Sequence, residues 1–149
     1  MSPTKTQRGF TLVEILVVMV VMLLAYGLLP PLFSSGVSGT EMKAAARQLA
    51  AGLRKARSTA ISTRMETALA LDVEQRRFEL SGDKQVYRLP AKVDLSLFTA
   101  QSELSSEKTG SIRFYPDGSS TGGRITVAGA NRKYLVDVDW LTGRVVIQD

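Results

Sequence analysis

The sequence predicts an α+β protein in which a long, hydrophobic N-terminal helix is packed on an antiparallel β-sheet domain. Three observations carry this reading. One nearly uninterrupted apolar stretch runs from Phe10 to Leu29, a stripe with helical spacing follows from Met42 to Ala60, and period-two alternation takes over from Thr67. A chain of 149 residues that is 44% hydrophobic has room for one anchor and one small domain.

Residues 1–9 form a short polar leader carrying Lys5 and Arg8 and no acid. Residues 10–30 are expected to form a membrane-spanning helix, since about 20 residues at helical rise span roughly 30 Å, one bilayer core. Glu14 is the single charge inside it. An acid at the centre of such a helix costs about 2.5–3.5 kcal/mol, less near an end, so Glu14 is read as functional. Its expected partner is an α-amino group, released when the chain is cut between Gly9 and Phe10. Phe10 and Glu14 stand one turn apart on one face. The amine is that of the same chain or of a staggered neighbour, and the second choice also sets axial register. Pro30 to Thr40 carries no base, so the leader faces the cytoplasm and the rest lies outside. A cleavable secretory signal fits poorly: the apolar stretch is too long, and no small-residue cleavage site follows it.

Gly27, Pro30 and Pro31 predict a kink or break, because proline removes a backbone donor and clashes with the preceding turn. Residues 31–64 then read as a kinked linker and an amphipathic helix. Thr40 is the expected N-cap, with Lys43 where a capping-box acid would stand. Met42, Ala46, Leu49, Leu53, Ala56 and Ala60 form the core stripe. Arg47, Arg54, Lys55, Arg57 and Arg64 lie largely away from it and are read by default as a solvated face, with a partner-binding face or a weak anionic-ligand surface as the alternatives.

Residues 65–149 make the β domain. Strands are expected at 67–73, 78–80, 85–89, 92–98, 111–115, 123–128, 134–140 and 144–147 in a single sheet. Tyr134, Val136, Val138 and Trp140 share one face, and Leu141-Thr142-Gly143 closes a hairpin. Tyr115-Pro116-Asp117-Gly118 is a turn, with Ser119 to Gly123 a flexible continuation. Ala100 to Gly110 reads as a mobile polar loop.

The chain has neither cysteine nor histidine, which excludes disulfides, thiol nucleophiles, Cys/His zinc sites and imidazole bases. Asp117, Asp137 and Asp139 lack the spacing of a calcium loop, and Ser119 and Ser120 lack a base. The expectation is a protein that is not an enzyme and takes no metal or cofactor. The net charge of +5 falls to +3 once Lys5 and Arg8 leave with the leader, too mild to argue for nucleic acid.

At Arg8-Gly9-Phe10-Thr11-Leu12-Val13-Glu14 the sequence resembles the processing site of type IV pilins and type II secretion pseudopilins. Phe114 to Ile125, with Pro116, Asp117, Gly118, Gly122 and Gly123, resembles the GspH/FimT group of minor pilin-like proteins. Val138 to Val145, with Trp140, Gly143 and Arg144, agrees with it. The resemblance implies cleavage after Gly9 by a prepilin peptidase, N-methylation of Phe10, and an assembly role for Glu14. It implies a bacterial inner-membrane, single-pass protein with a periplasmic domain, placed near the tip of a pseudopilus that helps export folded proteins through an outer-membrane secretin. Other minor pseudopilins, the major pseudopilin, the inner-membrane platform, the secretin and exoproteins are the implied partners. The alternative is a FimT-like minor pilin that binds DNA for uptake, for which Arg124, Arg132, Lys133 and Arg144 are the candidate cations. Its Arg-rich C-terminal mark is thin here, so nucleic acid is not an expected partner on the leading reading.

Overall fold

The computed structural model describes residues 10–28, 39–103, 106, 108–129 and 132–149 and comprises two compact units, Met1–Ser35 and Gly36–Asp149. In the first, helix α1 spans Leu12–Leu28. Thr11 caps it: its carbonyl accepts the Glu14 and Ile15 amides at 3.0 and 3.2 Å, and its Oγ1 accepts Glu14 N at 3.3 Å. All large apolar side chains from Leu12 to Leu24 are exposed. Among the described residues no helix is both long and apolar enough to cross a membrane, α1 covering 17 residues. Gly27 lies inside the last turn of α1, while Gly9, Pro30 and Pro31 fall outside the described residues.

The second unit is built on helix α2, Gly39–Thr63. Every residue of the expected stripe is buried, and Ala45, Ala50 and Gly52 widen it. These small residues let the helix approach the strands closely: a Cβ on Gly52 would lie 2.7 Å from Phe78 Cε2. Helix α2 begins at Gly39, so Thr40 sits in the first turn rather than at the N-cap, a one-residue shift of a boundary that frays. It ends where Arg64 turns left-handed (φ 55°) and Thr63 Oγ1 bonds back to Thr59 O at 2.7 Å.

The strands are β1 Thr67–Asp72, β2 Arg77–Leu80, β3 Val86–Arg88, β4 Asp94–Thr99, β5 Thr109–Phe114, β6 Gly123–Ala128, β7 Lys133–Val138 and β8 Val145–Gln148. They form two four-stranded antiparallel sheets, β3-β2-β1-β5 and β4-β6-β7-β8, where the sequence predicted one. Alternation reports which face of a strand is buried but carries no information on which strand it pairs with. Here β5 returns to pair with β1, leaving β4 to open the second sheet. Helix α2 packs on both, and Leu49 and Leu53 meet Leu69, Phe78, Phe114, Ile125 and Val136 in one core. Each such side chain contributes about 1.5–3 kcal/mol when buried.

Candidate functional site

Two regions hold the residues singled out in the sequence. The first is the start of α1. Phe10 is 79% exposed, and Glu14 is exposed one turn further on. Among the described residues of this unit, no apolar partner covers this end. Phe10 and the acid are both exposed at the start of α1.

The second region is where the two remote signature stretches meet. The Tyr115–Ser119 turn is closed by Gly118 N donating to Tyr115 O at 2.9 Å and Tyr115 N donating to Ser119 O at 3.0 Å. Asp117 Oδ1 accepts the Ser119 amide at 2.9 Å and its hydroxyl at 2.6 Å. These two bonds from Ser119, the hydroxyl first, hold the Asp117 carboxyl below its usual range. At the other stretch Asp139 Oδ1 accepts Thr142 N at 2.7 Å, Thr142 Oγ1 at 2.8 Å and Leu141 N at 3.1 Å. The Thr142 amide and hydroxyl likewise lower the Asp139 carboxyl. Both acids are turn caps.

Gly143 stands at φ 61° and its amide donates to Asp139 O at 2.9 Å, while Asp139 N donates to Arg144 O at 3.0 Å. This is a glycine bulge, which needs the left-handed residue and turns β8 back along β7. A Cβ on Gly143 would strike the Gly118 carbonyl. The two turns are thus in direct contact. Ser120 N donates to Trp140 O at 2.8 Å, and Gly122, at φ 72°, lies against Trp140, whose Cβ is 3.0 Å from where a Gly122 Cβ would sit. Gly118 and Gly122 of the first stretch are joined in this way to Gly143 and Trp140 of the second.

Several expectations change here. Trp140 does not share the buried face of Tyr134, Val136 and Val138: β7 stops at Val138, and Trp140 lies in the turn, 66% exposed. The Ser119–Gly123 stretch is not a free loop, because Ser120 is buried, bridges to Phe114 and accepts Gly122 N at 3.0 Å. The basic side of α2 is not simply solvated. Arg57 Nε donates to Gly118 O at 3.1 Å, Arg54 Nη2 to Val145 O at 3.2 Å, and Lys55 pairs with Asp83 at 2.8 Å. No periodicity signals these bonds, since each acceptor is remote in sequence.

The segment after β4 also differs. A single 3-10 turn, Gln101–Glu103, buries the Glu103 carboxylate. Arg113 Nε reaches it at 3.1 Å, the Ser111 hydroxyl donates to it, and Arg113 also pairs with Glu66 at 3.3 Å. Burial pushes the Glu103 carboxyl up, but the Ser111 and Arg113 bonds outweigh it and hold it below its usual value. Of the cations considered for nucleic acid, Arg124 is paired with Asp137 across the β6–β7 ladder.

Comparison with known proteins agrees with this geometry. The family described as type II transport protein GspH matches residues 45–142, and the prokaryotic N-terminal methylation motif matches residues 4–25. The type II secretion system protein H of Xanthomonas campestris pv. campestris is 36% identical over 138 residues, covering 93% of this chain and 81% of that protein. The minor pseudopilin EpsH from the type 2 secretion system of Vibrio cholerae shares the fold, with a TM-score of 0.58 at 14% identity over 72% of this chain and 96% of that one. The type IV minor pilin FimU of Pseudomonas aeruginosa does so at 0.56 and 13%, over 72% and 92%. The family and the motif together mark a membrane-anchored periplasmic protein. The chain belongs to the GspH family, and its role is that of a minor pseudopilin in type II secretion.

Proposed function

We propose that the chain is cut between Gly9 and Phe10 by a prepilin peptidase, methylated on the new Phe10 amine, and built into the pseudopilus at or near its tip through α1. Glu14 accepts the terminal amine of an adjacent subunit, which removes an unpaired charge from lipid and fixes the axial stagger. The anchor spans the inner membrane once, and the leader faces the cytoplasm before cleavage. Other minor pseudopilins and the major pseudopilin are its neighbours, and the filament helps export folded proteins through the secretin. The protein acts by assembly, not by catalysis.

One observation supports this reading above the others. The folded unit satisfies its own core, whereas α1 carries a continuous exposed apolar surface that starts beside Phe10 and Glu14. A helix apolar on all sides requires lipid or other helices around it. The test is complementation of a deletion strain with the wild-type and Glu14→Ala chains. The Glu14→Ala protein inserts in the membrane, fails to co-purify with the other pseudopilins and leaves exoproteins in the periplasm. Normal secretion in the deletion strain itself overturns the proposal.

A further inference from the structure

We propose that the free edge of β8 accepts an extended acidic segment of a neighbouring subunit as an added strand, seated in the arginine-lined groove between β8 and α2. The inference rests on the assembly role above and names one contact within it. The groove measures about 950 Å³ and runs along the outer side of β8, with Arg54, Ser58 and Ile61 of α2 on one wall and Arg144 and Val146 on the other.

Register defines what the edge offers. Asp139 and Arg144 are bonded across the bulge, so the next bonded pair is Asp137 with Val146, then Leu135 with Gln148. Val145 and Ile147 lie between these pairs, and their amides and carbonyls point away from β7. β8 is the last strand of its sheet, so among the described residues that side has no strand neighbour. The Val145 carbonyl is taken by Arg54 Nη2 at 3.2 Å, which confirms the outward direction. Two amides and the Ile147 carbonyl are left as a template for an added strand.

Charge selects the occupant. Arg54, Arg57 and Arg144 line one groove, and among the described residues none of them has a carboxylate within ion-pair distance. Asp137 and Asp139 also line the groove, but Asp137 is paired with Arg124, and Asp139 is held first by the Thr142 and Leu141 bonds, with the Arg144 charge the smallest influence on it. A strand with carboxylates on alternate residues would place them beside these guanidiniums, each a bidentate match.

The probe is a blocked peptide of alternating valine and glutamate, offered to the full chain in detergent and read by hydrogen exchange and calorimetry. The Val145 and Ile147 amides gain protection of about tenfold or more, and the double variant Arg54→Gln, Arg144→Gln binds the probe at least about tenfold more weakly. Arg144→Gln alone, which leaves the Arg54 bond to Val145 intact, weakens it measurably. Equal binding of a peptide with lysine in place of glutamate overturns the proposal. So does binding that leaves both amides unprotected, or protection by a single-stranded oligonucleotide but not by the peptide. None of these results bears on the processing or secretion measurements, so the two readings fail separately.

Discussion

Arg57 of α2 donates its Nε–H to the Gly118 carbonyl, 61 residues later in the chain, at 3.1 Å. The same carbonyl lies against Gly143, so one guanidinium on the helix holds the turn where both signature stretches meet. Gly118 and Gly143 therefore serve a joint in the fold.

Replacing Arg57 by methionine keeps much of the stem packing and removes the donor. Hydrogen bonds to charged groups contribute roughly 1.5–3 kcal/mol, and partial exposure here lowers that to about 1 kcal/mol. Chemical denaturation of the Arg57→Met chain will show this loss with an unchanged m-value. A loss near zero means the Gly118 carbonyl is equally served by water.

Gly143→Ala meets two penalties together, a left-handed backbone and a collision with Gly118 O. The cost is about 2 kcal/mol or more. Gly82, also at positive φ but with open space around it, provides the control: Gly82→Ala loses only the backbone part, about 1 kcal/mol. Equal melting temperatures for the two variants would contradict the contact.

Glu103 makes stability depend on acid. Its carboxyl is lowered in the folded state, so the unfolded chain takes up the proton first as pH falls. The stabilisation is complete above the unfolded value, roughly pH 4.3, and is lost as pH drops toward the folded value. Thermal melts between pH 6 and 3 will show a steeper acid loss for the wild type than for Glu103→Gln. Parallel curves would remove Glu103 as the cause.

Processing has a direct readout. If the proposed cut is made, protein extracted from membranes will begin at Phe10 and carry one added methyl group, and a Gly9→Leu chain will retain Met1. Intact-mass spectrometry distinguishes the two, and a wild-type protein that still starts at Met1 in a working secretion strain refutes the proposed cut.

Helix α1, the stripe of α2 and the described strands were legible because each leaves a local trace, an unbroken apolar run or a fixed period. Met42, Leu49 and Ala60 are buried as their spacing requires, and Leu69 and Leu71 point inward as alternation requires. Pairing was not legible. Nothing local tells Leu69 that it faces Ile112 as well as Leu80, so one sheet was expected and two are found. Trp140 continues the alternation of β7 in sequence, but Asp139 has already captured the Leu141 and Thr142 amides and bent the chain. Arg54 and Arg57 read as surface charges because their acceptors, Val145 O and Gly118 O, lie on distant segments, and the burial of Glu103 depends on donors, Ser111 and Arg113, that lie on β5.

The alanine-rich face of α2 has a mechanical consequence. A seam of methyl groups closes the gap to both sheets with little slack, and Gly52 removes the last of it against Phe78. Load applied along that helix passes sideways into two sheets together, shearing many short contacts in parallel instead of peeling them one after another. Force entering at the first turn of α2 is therefore shared at once by the strands of both sheets in this unit.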